Sequence, residues 1–212
     1  LIDFRRDTRS FGNPSSSYAI GGLAYDVMHL ARKRVARCLK AKPKDIFFTG
    51  SGTEANNLAI KGIADRHDSG HIISTNVEHP SVIDTLRVLE AQGFDVTYLP
   101  AASDGTIQAD DVANAIREDT ILVSIMAANN EIGTIYPIAE IGAVCRERGV
   151  PFHVDGIQAF GKVRLSPDKM NIDMLTLSGH KVYAPKGVGV LYLNPELSIN
   201  SQIDGGSQEK GL

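Results

Sequence analysis

Short apolar runs alternate along the chain with longer stretches in which apolar residues recur every three or four positions. The first pattern predicts buried strands and the second amphipathic helices. Ile46-Phe47-Phe48 reads as a strand halted by Gly50-Ser51-Gly52, and Glu54 to Asp65 as a helix capped by Ser51 or Thr53. Ile72-Ile73-Ser74 is the next strand, and Ser81 to Gln92 a helix with Val82, Leu86 and Leu89 on one face. Asp95 to Leu99 follows as a strand, Asp110 to Arg117 as a short helix, and Ile121 to Met126 as an apolar strand. Ile138 to Arg148 places Ile138, Ile141 and Cys145 at helical spacing. Phe152 to Asp155, Met174 to Leu177 and Val188 to Leu193 complete the strands. The leading order is βαβαβαβαβ, which predicts an α/β domain over residues 1–212. Its sheet is mostly parallel, with helices on both faces.

In such a sheet, ligands bind beyond the carboxyl ends of the strands. The polar clusters of this chain fall there: Gly50-Ser51-Gly52-Thr53, Glu78-His79, Asn129-Asn130-Glu131, Asp155, and Ser178-Gly179-His180-Lys181.

Composition narrows the class. The 212 residues are 42% hydrophobic and 22% charged, with a net charge of −3. Those are globular values, and they give no support to a basic surface for nucleic acid. No apolar run is long enough for a membrane helix, and the start, Leu1-Ile2-Asp3-Phe4-Arg5-Arg6-Asp7, is too charged for a secretory signal. A cytoplasmic protein is expected, with an organellar matrix as the alternative. The two cysteines, Cys38 and Cys145, are too few for a disulfide framework or an all-cysteine zinc site.

Each cluster has two readings. Gly50 to Thr53 joins a strand to a helix, where free N–H groups attract anions, so it is a phosphate cup or a plain capped turn. It matches neither a P-loop nor a dinucleotide loop. Asp155 either caps Gly156 to Phe160 as a helix or faces a ligand cation, with Gln158 within a turn of it. Lys181 is a surface lysine or, if buried near other cations, a nucleophile for carbonyls. His79 precedes Pro80, which suits a first helical turn and leaves the ring free to face the strand ends. Together, an anion cup, a flat ring, a carboxylate and a lysine suit pyridoxal phosphate.

Seven segments carry a resemblance to a known family. They are Phe11-Gly12-Asn13-Pro14-Ser15-Ser16, Gly52-Thr53-Glu54-Ala55-Asn56-Asn57, Glu78-His79, Asn129-Asn130-Glu131-Ile132-Gly133, His153-Val154-Asp155 with Gln158, Ser178 to Lys181, and Gly205-Gly206-Ser207-Gln208-Glu209. The chain resembles the large domain of NifS/IscS-type cysteine desulfurases, class V enzymes of the fold-type-I pyridoxal-phosphate group. The resemblance implies a homodimer converting L-cysteine to L-alanine and an enzyme persulfide, with the sulfur passed to an acceptor protein. It implies Lys181 as the lysine that carries the cofactor, Asp155 against the pyridine nitrogen and His79 stacked on the ring. Gln158 and Asn130 would face the phenolic oxygen. Gly52, Thr53, Ser178 and His180 would hold the phosphate, and His79 would assist Lys181 in proton transfer. Another class V activity (aminotransferase or selenocysteine lyase) and a catalytically silent dimerising partner are the alternatives.

Two departures from the family pattern set further expectations. The segment before Phe11 is altered. The chain also stops at Leu212, where family members continue into a small domain bearing the sulfur-accepting cysteine. Cys145 reads as core and Cys38 as helical, so neither replaces that cysteine. A fragment is expected, without desulfurase turnover of its own.

Overall fold

The computed structural model describes residues 11–206 and 208–212. The altered opening segment and Ser207 of the Gly-Gly-x-Gln-Glu motif therefore lie outside the described residues. Two compact units emerge, one ending at Ile46 and the other running from Phe47 to Leu212. The first unit is dominated by helix α1, Ala19–Leu39, which ends on Lys40 in the left-handed conformation.

The second unit is built on a seven-stranded sheet. Its strands are β1 (Ile46–Thr49), β2 (His71–Thr75), β3 (Asp95–Leu99), β4 (Thr120–Met126), β5 (Phe152–Asp155), β6 (Met174–Ser178) and β7 (Gly189–Leu193). The helices between them are α2 (Gly52–Ala64), α3 (Pro80–Ala91), α4 (Ala109–Ala115) and α5 (Ile138–Arg148). The spatial order is β1-β7-β6-β5-β4-β2-β3. The β3–β2, β2–β4, β4–β5 and β5–β6 pairs are parallel, and β6–β7 is antiparallel. The mixed, mostly parallel sheet expected from the alternation is therefore present.

Burial follows the apolar periodicity. Val82, Leu86 and Leu89 are each fully buried and belong to one core cluster with Ile60, Ile63, Ile72 and Leu122. Each such side chain contributes about 1.5–3 kcal/mol on leaving water.

A second device ties the strands through polar groups. The Ser74 hydroxyl donates to the Ser124 carbonyl at 2.8 Å. The Ser124 hydroxyl meets His153 Nδ1 at 2.8 Å, and His153 Nε2 meets the Thr176 hydroxyl at 3.0 Å. Burial pushes the His153 pKa down to about 3, so the ring stays neutral and both nitrogens are satisfied. Four adjacent strands are thus held in register two residues before β5 ends at Asp155, and residues two apart on a strand share a face.

Candidate active site

At the carboxyl ends of the parallel strands lies a cavity of about 150 Å³. Gly52, Thr53, His79, Asn130, Asp155, Gln158, Ser178, His180 and Lys181 all line it, which is every residue expected from the sequence. Ser51, Ser81, Met126, Ala128 and Ile157 complete the wall.

The candidate anion cup lies at the start of α2. Ser51 is its N-cap and accepts from the Glu54 N–H at 3.0 Å, which settles the choice between Ser51 and Thr53 as cap. Glu54 in turn accepts from the Gly50 N–H at 3.0 Å. Gly52 is buried, and a methyl placed on it would overlap Ile157 Cδ1 and lie 3.1 Å from Ser178 Cβ. The helix start therefore sits directly beside the end of β6. On that side the Ser178 hydroxyl meets His180 Nδ1 at 2.9 Å. Gly189, at the start of β7, lies under the Ser51 carbonyl so closely that any side chain there would strike backbone.

Asp155 forms the floor and is 5% exposed. The capping reading holds in part. One oxygen accepts from the Ile157 N–H at 3.0 Å, capping a hydrogen-bonded turn over 156–160 rather than a helix. The other accepts from the Asn56 amide at 2.8 Å and so holds the carboxylate at the cavity. Desolvation raises its pKa, against the lowering influence of those two hydrogen bonds and of His79. Among the described residues it makes no ion pair.

The rim is exposed. His79 is the N-cap of α3, with Pro80 at its first position, and Nδ1 accepts from the Ser81 N–H at 3.1 Å. Asn130 is exposed on the loop after β4. That loop is shaped by buried Asn129, whose side-chain Oδ1 accepts from the Glu131 and Ile132 N–H groups at 2.9 and 3.0 Å. Lys181 stands on a 3-10 turn, Gly179–Val182, and is exposed at the cavity. The buried lysine that the nucleophile reading required is not what the fold provides; an exposed amine bordering a largely buried floor is.

Sequence reasoning missed the support beneath these residues. Asn56 is fully buried and joins Asp155 to Ser81, donating to the Ser81 hydroxyl at 2.9 Å. Glu78 is buried immediately before His79; one oxygen accepts from Thr75 and from the Met126 N–H. Asn56 and Glu78 stand in segments that carry the family resemblance, though without an assigned role, and Ser81 could have been flagged only by its position in the first turn of a helix that opens at the site.

The chain matches the family model described as Aminotransferase class-V over residues 6–209. It is 49% identical over 206 residues to a protein named cysteine desulfurase IscS from Clostridium botulinum, covering 96% of this chain and 52% of the relative. A protein of the same name from Methanosarcina thermophila is 50% identical over 205 residues, covering 96% and 51%. Among solved structures, one described as "SspA in complex with cysteine" superposes with a TM-score of 0.96 at 44% identity, covering all of this chain and 62% of that one. The chain spans about half the length of the curated relatives it matches. The resemblance read from seven short motifs therefore extends over almost every residue, and the chain belongs to the class-V aminotransferase family.

Proposed function

We propose that this chain is the cofactor-binding large domain of a pyridoxal-phosphate-dependent cysteine desulfurase. One observation carries the reading: residues from five segments, far apart in sequence, line a single cavity with anion donors on one side and a buried carboxylate in its floor. That donor set fits pyridoxal phosphate. The N-terminal end of α2, Thr53, Ser178 and His180 suit a phosphate group. Asp155 is a desolvated carboxylate with no cationic partner among the described residues, and a protonated ring nitrogen would supply one. Bound there, the cofactor supplies an electron sink for charge developing at the α-carbon of an amino acid.

The chain's own residues divide the remaining work. Lys181 offers a primary amine for the cofactor's aldehyde and a site to take and return a proton. His79, which lines the cavity, would cover the ring face. Gln158 and Asn130 supply hydrogen-bond partners for the phenolic oxygen. L-cysteine as substrate is supported by the names of the curated relatives and by the superposed SspA structure, a complex with cysteine. Cys145 is not the sulfur acceptor: it is buried, and desolvation pushes its thiol up to about 12. A homodimer is supported by an exposed apolar stripe on α1, formed by Ile20, Leu23, Val27 and Leu30. Transfer of sulfur to an acceptor protein completes the proposal.

The test is titration of the purified chain with pyridoxal phosphate, followed by borohydride reduction and peptide mapping. A visible absorption band and label on Lys181 are expected. Label on Lys186, or no band, overturns the reading. L-alanine formation from L-cysteine, against selenocysteine and an amino-group acceptor, separates the desulfurase from other class V activities.

A further inference from the structure

Beneath the cavity, four side chains form one continuous hydrogen-bonded line. The Asn56 amide nitrogen lies 2.8 Å from an Asp155 carboxylate oxygen and 2.9 Å from the Ser81 hydroxyl oxygen. The Ser81 hydroxyl lies 2.8 Å from His79 Nδ1, and the Ser81 backbone N–H points at the same nitrogen from 3.1 Å.

The direction of every bond in this line follows from what each group is able to do. With Asp155 ionised, as pairing with a ring nitrogen would require, it only accepts, so Asn56 presents its NH2 group to Asp155. The second amide hydrogen then goes to Ser81 Oγ, and the single hydroxyl hydrogen of Ser81 is left to point away from Asn56. His79 Nδ1 is the acceptor it meets. The Ser81 backbone N–H adds a longer bond, at 3.1 Å, that biases Nδ1 the same way, while the hydroxyl at 2.8 Å supplies most of the preference. In its neutral form the imidazole therefore carries its proton on Nε2. The arrangement is not a packing accident that satisfies every group. It leaves Asn56 Oδ1 buried and without a partner among the described residues, a situation that costs free energy.

We propose that Asn56 and Ser81 are positioning residues that fix the tautomer of His79, with Asp155 setting the direction of the line. His79 then offers the cavity a hydrogen-bond donor at Nε2, and Nδ1 is withdrawn from chemistry. The orientation of the ring is fixed by the same two contacts to Nδ1. The consequence for the proposed desulfurase, on which this inference builds, is that His79 enters a reaction as a proton donor at Nε2. It becomes a base only after that proton has left.

The tautomer can be read without any cofactor. Long-range proton–nitrogen correlation spectra of the uniformly 15N-labelled chain give the protonation of each ring nitrogen in its six histidines. A His79→Asn variant assigns the relevant signals. Wild type should show one His79 tautomer, with an unprotonated Nδ1 and a protonated Nε2. Ser81→Ala and Asn56→Leu should each move both nitrogens toward the tautomer-averaged position. Ser81→Thr, which keeps the hydroxyl, should restore the wild-type pattern. A protonated Nδ1 or averaged signals in wild type overturn the proposal, and so do unchanged His79 shifts in both Ser81→Ala and Asn56→Leu. The wild-type spectrum decides even where a variant fails to fold. Because the readout precedes cofactor binding, failure to bind pyridoxal phosphate counts against the proposed function and leaves this inference to its own result.

Discussion

Replacing Glu78 by Gln should change how stability depends on pH, by an amount the structure sets. Glu78 is buried, with one oxygen accepting from the Thr75 hydroxyl at 2.8 Å and the Met126 N–H at 3.0 Å. Its other oxygen is buried without a hydrogen-bond partner among the described residues. Desolvation pushes its pKa up to about 8, with Asp155 adding to the rise and the two hydrogen bonds opposing it. In the unfolded chain it ionises near 4.5. Between those values the folded state holds a proton that the unfolded state has released, so folding weakens as pH rises. The stability is fully present below 4.5, falls by about 1.4 kcal/mol per pH unit, and levels off above about 8. From pH 5 to pH 8 the loss attributable to this group is about 3–4 kcal/mol. Gln keeps the acceptor for Thr75 and Met126 and does not titrate. Urea unfolding of both proteins at the two pH values isolates the effect, because pH-independent differences in bonding cancel. The advantage of Glu78→Gln over wild type should grow by about 3–4 kcal/mol between pH 5 and pH 8. A constant difference across that range refutes the reasoning and means the carboxyl is ionised in the fold. The protonated state also suits the site, since it leaves Asp155 free of a second negative charge beside it.

Three further outcomes are expected. Asp155→Asn should weaken pyridoxal phosphate binding by about 10- to 100-fold, the worth of one charge-assisted hydrogen bond, as read by titration of the visible band; unchanged affinity would assign the carboxylate to the 156–160 turn alone. Native chain treated with a thiol reagent at pH 8 should lose one thiol quickly, exposed Cys38, and give up Cys145 only on denaturation; rapid loss of both contradicts the burial of Cys145. Gly189→Ala should lower thermal stability by about 1–3 kcal/mol, because its new methyl meets the Ser51 backbone carbonyl as well as Thr49 Oγ1, and the backbone cannot swing away; an unchanged melting curve would show that β7 can shift from the start of α2 freely.

The strands and helices of the second unit are legible in the sequence because each carries its own local signal. The bounds read for Asp95–Leu99, Ile138–Arg148 and Phe152–Asp155 coincide with β3, α5 and β5. Elsewhere they differ by a residue or two at the ends, where caps and turns compete with the regular pattern. Helix α1 is legible only near Cys38. Its exposed apolar residues, Tyr18 through Leu30, and the pair Gly21-Gly22 blur the contrast between faces on which periodicity depends. Strand order is not legible, since parallel partners are joined through helices and the sequence records no register. The antiparallel turn of β7 is likewise decided by the sheet as a whole.

The site divides along the same line. The candidate ligand-facing residues stand at or just past strand ends, so a mostly parallel sheet gathers His79, Asn130, Asp155 and Lys181 into one cavity by topology alone. Residues that act on other residues leave no such trace. Asn56 and Asp155 are 99 positions apart and touch only through one side-chain bond, and Asn56 sits on a helix face that otherwise reads as core. Nothing periodic marks a buried amide as different from its apolar neighbours. What betrays it is its cost. A polar side chain retained at full burial with one atom left unpaired is a poor way to stabilise a fold, since an apolar residue of similar size would avoid the penalty. The two hydrogen bonds it makes are directed at Asp155 and, through Ser81, at His79, which both line the cavity. The same reasoning applies to Glu78, whose buried second oxygen also lacks a partner among the described residues and whose first oxygen braces the end of β4 beneath Met126. Among the described residues, two of the buried unsatisfied groups, on Asn56 and Glu78, thus stand directly behind the candidate site, where orientation of a reacting group would outweigh the local free energy of burial.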